Sequence, residues 1–122
     1  MLRTLCISVL IFAGVAAQAQ IQYLEQKPAH IEKTADSLTK IYSTKLGMTP
    51  KQDLLFKTNV ADYLLMREQV AKAYTGNRKL DELYKASLEE SGAMSEVLTE
   101  YQFELYEKIK PSIQPVAVVE KD

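Results

Sequence analysis

Few of the 122 residues could carry out chemistry, and their spacing limits what that chemistry would be. His30 is the only histidine. An imidazole relay or a metal centre built on it would need partners from elsewhere, such as Glu32 or a helix carboxylate. The simpler expectation is a surface imidazole. Met48, Met66 and Met94 are scattered, and only folding or dimerisation could gather their thioethers into a soft-metal site; core filling is the ordinary use of methionine. Glu89 and Glu90 are neighbours in sequence, about 100° apart on a helix, and do not align as an acid–base pair. Glu96, Glu100, Glu104 and Glu107 recur at helical spacings, the pattern of a solvated acidic face. Serines and threonines are plentiful, but one histidine and one cysteine, Cys6, leave little from which to assemble an activated nucleophile. The four glycines are isolated, so no phosphate-cradling loop is present. The chain is therefore read as a non-enzyme, with no catalytic, cofactor-binding or metal-ligating residues expected.

The first residues form a leader pattern. Arg3 and the amino terminus supply positive charge, Leu5 to Val15 is apolar, and Ala17-Gln18-Ala19 is a small-x-small cleavage site. The apolar run is shorter than the ~20 residues a membrane span needs. Cleavage after Ala19 removes 19 of the 122 residues and leaves 103, the size of one small domain. Cys6 leaves with the leader, so the remaining chain has no disulfide and no thiolate, and stability must come from helix packing and self-association. Without Arg3, 14 basic residues face 16 acids, a net charge of −2, which argues against nucleic acid as a partner. The distribution is polarised. Six lysines between Lys27 and Lys57 face Glu32, Asp36 and Asp53, whereas eight acids between Asp81 and Glu107 face Lys85 alone. Solvated helix faces account for this most simply; pairing of opposite ends between subunits, or a polarised binding surface, is the sharper alternative.

The elements that would position these groups are helical throughout. Residues 20–27 are a polar lead-in, and Pro28 suits a first helical turn. Ile31, Ala35, Leu38, Ile41, Tyr42 and Leu46 then make one stripe that ends at Gly47. A second helix begins after Thr49 with Pro50 at its first position, and Phe56, Val60, Tyr63, Leu64, Ala71 and Tyr74 mark its inner face. Thr75-Gly76-Asn77 reads as the stop. A third helix is expected from about Arg78 to Val97, with Leu80, Leu83, Tyr84 and Leu88 buried and a kink or break at Ser91-Gly92. A fourth follows Thr99 and ends at Pro111, leaving residues 111–122 as a tail. The domain proper is thus 28–110, all-α, with about four amphipathic helices. All seven tyrosines but only two phenylalanines remain after the leader is removed. Tyrosine suits half-buried positions, so either a thin, open arrangement or an ordinary small bundle with tyrosines at its rim is expected.

Two of these helices start alike. Met48-Thr49-Pro50-Lys51-Gln52 and Leu98-Thr99-Glu100-Tyr101-Gln102 each place Thr-x-x-Gln behind an apolar residue. The Thr hydroxyl can accept from the N–H three residues on while the Gln side chain reaches back to the Thr N–H, which satisfies two otherwise unpaired donors. Leu98 can also pack on Phe103 as a hydrophobic staple.

Leu98-Thr99-Glu100-Tyr101-Gln102 matches the L-T-x-x-Q motif of the Spy/CpxP-like periplasmic proteins, and Met48-Thr49-Pro50-Lys51-Gln52 matches it with Met in place of Leu. The chain resembles this family over roughly Ala35 to Lys110. The resemblance implies a long helical hairpin that dimerises into a curved cradle, a soluble periplasmic location, and ATP-independent, chaperone-like binding of unfolded or partner proteins under envelope stress. A regulatory module that docks on the periplasmic domain of a membrane stress-sensor kinase, or a metal-responsive binder, is the alternative it leaves. Met48, Thr49, Gln52, Leu98, Thr99 and Gln102 carry over as helix-start residues. Phe56, Tyr63, Leu64 and Tyr84 are the residues expected on a client-binding face. The family's basic cradle and its Met- and Arg-rich signatures have no counterpart in this mildly acidic chain.

Overall fold

The computed structural model describes residues 27–116. The expected leader (1–19), residues 20–26 of the lead-in and residues 117–122 of the tail lie outside the described residues. Four helices and no strand make up the described part: α1 (Ala29–Leu46), α2 (Pro50–Ala73), α3 (Gly76–Met94) and α4 (Glu100–Ile113).

Local chemistry sets most of the boundaries. Helix α1 stops at Gly47, whose φ of 66° is left-handed and cheap only for glycine, and whose N–H bonds the Ser43 carbonyl at 2.9 Å. Both Thr-x-x-Gln segments form complete capping boxes, at Thr49 for α2 and Thr99 for α4. Leu98 and Phe103 belong to the same core, as a staple requires.

Three boundaries differ from the sequence expectation. Gly76 and Asn77 open α3 instead of lying in a loop, so Tyr74 and Thr75 alone connect it to α2. The helix runs unbroken through Ser91-Gly92 to Met94, because the buried side chains on either side of the glycine, Glu90 and Met94, hold it in register. Pro111 lies inside α4 and not at its end. In the last turn proline forfeits only one hydrogen bond, and the extra turn places Gln114 in the interior.

Helix α2 is the centre of the molecule, with α1 packed on one side and α3 on the other, while α4 lies against α1. Its buried residues Phe56, Val60, Tyr63 and Val70 lie within about 80° of arc and form one stripe, while Ala61 is buried on the far side of the axis. The core joins all four helices, with Ile31, Ala35, Tyr42 and Leu46 from α1, Phe56, Val60 and Ala61 from α2, Met94 from α3, Leu98 before α4 and Tyr106 within it. At its heart the rings of Tyr42, Phe56 and Tyr106 stand 4.9 to 5.8 Å apart in tilted and edge-on pairs, and Phe103 stacks on Tyr106 at 5.8 Å. Such pairs add about 0.5–1.5 kcal/mol each beyond area burial. The tyrosines therefore do not stop at the rim: Tyr42, Tyr63 and Tyr106 are in the interior. Burial raises the pKa of all three phenols, so they stay neutral. Tyr42 can sit there because its hydroxyl donates to Gln114 Oε1 at 2.7 Å.

Candidate functional site

The two capping boxes meet, and their glutamines clasp each other. Gln52 Nε2 donates to Gln102 Oε1 at 2.7 Å, and Gln102 Nε2 returns a bond to Gln52 Oε1 at 3.2 Å. Each Oε1 also accepts from the backbone N–H of its own threonine, Thr49 or Thr99, at 3.0 Å. Each amide nitrogen spends its second hydrogen on the turn opposite: Gln52 on the Val97 carbonyl at 3.1 Å, Gln102 on the Leu46 carbonyl at 3.2 Å. Two N–H hydrogens and two oxygen lone pairs on each amide are thereby all used. The α1–α2 and α3–α4 turns are thus bonded by the same reciprocal set at one end of the molecule. Sequence reasoning found each box but not the clasp. A signal was present in the choice of side chain. Glutamate serves a capping box as well and favours the helix dipole, but two carboxylates could not face one another here.

A second polar assembly is buried between α3 and α4, and sequence reasoning missed it. The Glu90 side chain is 0 % exposed and that of Lys110 9 %, and Lys110 Nζ lies 3.1 Å from Glu90 Oε1. That contact is an ion pair whose line misses good hydrogen-bond geometry. The ammonium instead donates to the Ser87 carbonyl at 2.9 Å and to Ser91 Oγ at 2.8 Å, and stands 5.6 Å from the centre of the Tyr106 ring. Gln114 Nε2 donates to Glu90 Oε2 at 3.2 Å while its own oxygen accepts from Tyr42, so the chain of contacts reaches α1. Burial raises the pKa of Glu90 above the usual carboxylate range, against the pull of Lys110 and the bonds from Gln114 and Lys110. Glu89, its neighbour in sequence, is exposed. The cluster fastens α4 to α3 through Lys110 and, through Gln114, reaches α1.

The four residues expected on one client face do not share a surface. Phe56 and Tyr63 are buried because α2 is covered on both sides, Leu64 is partly buried against the core, and only Tyr84 is well exposed. Leu80 and Leu88, expected to be buried with Leu83, are exposed as well. The apolar surface that the fold leaves open consists of Ile41, Leu54, Leu55, Met66, Leu80, Tyr84, Leu88 and Tyr101. Leu54 and Tyr101 are the most open, at 66 and 76 %. Both flank the clasp in sequence, two residues after Gln52 and one before Gln102.

The remaining candidates stay apart. His30 is exposed and its Nε2 lies 2.7 Å from Glu68 Oε2. Met94 is in the core, Met48 packs beside it and Met66 is at the surface. Glu96, Glu100, Glu104 and Glu107 are all exposed. Among the described residues no group of three or more His, Cys, Asp or Glu is gathered as a metal site would need. A cleft of about 530 Å³ runs between α1 and α2, but the lysines that line it are already engaged. Lys40 pairs with Asp36 at 3.2 Å and Lys57 with Glu32 and Asp36 at 3.5 and 3.8 Å. No described helix is long and apolar enough to cross a membrane. No family model, curated protein or solved structure matches the chain.

Proposed function

We propose that this chain is a non-enzymatic protein-binding module, exported to the periplasm, that holds unfolded client proteins without ATP under envelope stress. The observation that carries the reading is that several large apolar side chains are left open on a small domain, above all Leu54 and Tyr101, which neighbour the clasp residues Gln52 and Gln102 in sequence. The leader pattern and the paired L-T-x-x-Q motifs, which resemble those of the Spy/CpxP-like proteins, support it. The polar assemblies are consumed in holding the helices together, so the open apolar side chains are what the surface offers to a partner. Clients would be recognised by exposed apolar segments, the feature common to unfolding chains.

The test is an aggregation assay on Gln20–Asp122 with two unrelated, thermally unfolding clients. Suppression of both at near-equal ratio is the expected result. Leu54→Ser combined with Tyr101→Ser removes about 1.5–3 kcal/mol of apolar burial per site in any complex, so suppression is lost at the same ratio. Because both residues are exposed, folding stability changes by no more than about 0.5 kcal/mol per site. No suppression of either client by the parent chain overturns the holdase reading and directs the search to one dedicated partner, such as a stress-sensor domain.

A further inference from the structure

The flank of α3 that meets the end of α4 continues past it uncovered. Lys110 of α4 reaches Ser87 and Ser91, and these two serines with Pro111, Pro115 and Val116 line one cleft of about 320 Å³. At 100° per residue, Leu80 and Tyr84 lie within about 60° of Ser87 on the helix circumference, nearer the start of α3. They are 46 and 56 % exposed. Leu88, next to Ser87 in sequence, is turned about 100° away and belongs to another flank.

The chain itself arrives at this flank. Helix α4 follows α3 through a short turn and runs back toward its start. Pro115 lacks the N–H that another turn would need, and the backbone leaves the helix at Gln114 with φ −132° and ψ 73°. Residues 117–122, outside the described part, read Ala117-Val118-Val119-Glu120-Lys121-Asp122, apolar first and then charged. The open flank has the same order. Beyond Leu80 the first turn of α3 holds no acid, and its Thr75 cap makes no side-chain bond, so the positive end of the helix stands beside Arg78 and Lys79. Arg78 is engaged by Glu82 at 3.5 Å and by the Tyr74 ring at 5.0 Å. Lys79 forms no ion pair among the described residues. Lengths agree as well. From Ser87 the helix rises ~4.5 Å to Tyr84, ~10.5 Å to Leu80 and ~12 Å to Lys79. From Val116 an extended chain advances ~6.6 Å to Val118 and ~13 Å to Glu120, and these three side chains share one side of it.

We infer that residues 117–122 are an extended strap along α3 of the same molecule, with Val118 seated between Tyr84 and Leu80 and Glu120 paired with Lys79. Val119 points away from the helix, as alternation along an extended chain requires. The strap carries on the cover that α4 begins and gives the uncapped start of α3 an anion. The inference goes beyond the client-holding reading and does not rest on it. It withdraws Leu80 and Tyr84 from the surface open to a partner and leaves Leu54 and Tyr101 there.

Disulfide trapping in Gln20–Asp122 tests the strap, since the chain from Gln20 on has no cysteine. In a glutathione redox buffer, Leu80→Cys with Val118→Cys is expected to close within one chain. It does so about tenfold more readily than Leu80→Cys with Val119→Cys, because a seated strap gives only the first pair a high effective concentration. An unseated tail would close both pairs alike. Fluorescence gives a second reading, because the parent chain has no tryptophan. The emission of Tyr84→Trp shifts to the red when Val118→Ser or Glu120→Lys is added, with helicity unchanged. Lys79→Glu added to Glu120→Lys reverses that shift. Equal closure of the two cysteine pairs, a disulfide formed between chains and not within one, or emission indifferent to Val118→Ser overturns the proposal. Failure of the parent chain to suppress client aggregation counts against the holdase reading alone, because the strap is read without any client.

Discussion

Lys110→Met is expected to destabilise the fold by about 3–5 kcal/mol, because it leaves a carboxylate in the interior without its cation. Glu90 has no exposed side-chain surface, and the Gln114 amide at 3.2 Å cannot replace an ammonium. The variant should recover stability in acid. A carboxyl whose folded pKa is raised binds its proton more readily folded than unfolded. Its favourable contribution is complete below the unfolded value and is lost as pH rises through the folded one. Removing Lys110 takes away the strongest influence that holds that value down, so the pH dependence steepens in the variant. Thermal unfolding of parent and variant at mildly acidic and neutral pH, with the gap narrowing in acid, checks both the size and the sign. A gap independent of pH would mean that lost packing of the lysine stem, not the stranded charge, is the cause.

The glutamine clasp gives the second large effect. Gln52→Ala or Gln102→Ala is expected to cost about 2–4 kcal/mol. Each removes a cap bond and leaves the partner amide with an unused donor and acceptor at a part-buried position. The double variant should cost less than the two single losses together, by a coupling energy of about 1–2 kcal/mol, since the second truncation removes a group already stranded by the first. Thr49→Ala, which touches only its own cap, should cost about 1 kcal/mol and stay additive with Thr99→Ala. Urea denaturation of the four chains of the glutamine cycle measures the coupling. Additive glutamine losses would reduce the clasp to two independent caps.

These two assemblies show how far the sequence could be read. Helix number, the α1 stop at Gly47 and both capping boxes follow from local chemistry, where the deciding bonds span three or four residues. The clasp joins residues 50 apart, and only the choice of glutamine at both third positions hints at it. Glu90 sits on the same face as Leu83, Ala86 and Met94, so a carboxylate within an apolar stripe was visible, but its partner Lys110 is on another helix. The client face failed for a related reason. An apolar residue on an amphipathic helix faces whatever that helix packs against, and for Phe56 and Tyr63 that is the interior of a helix covered on both sides. Conversely Leu80, Tyr84 and Leu88 read as core because the periodicity that marks a buried stripe also marks one left open.

The path of α4 bears on the order in which this chain acquires its shape. Helices α1 to α3 lie against their sequence neighbours, contacts that close short loops and form early. Helix α4 is fastened to α3 by Lys110 and Glu90 but its backbone packs on α1, and the bond from Tyr42 to Gln114 spans 72 residues. Closing that long loop costs entropy that only the finished aromatic centre and the buried ion pair offset. By sequence separation of its contacts alone, α4 is expected to dock after the first three helices have met. In the folded protein the same route runs backwards: lifting α4 uncovers Tyr42, Phe56 and Glu90 together, so that helix opens as one unit and its amides exchange with solvent in concert.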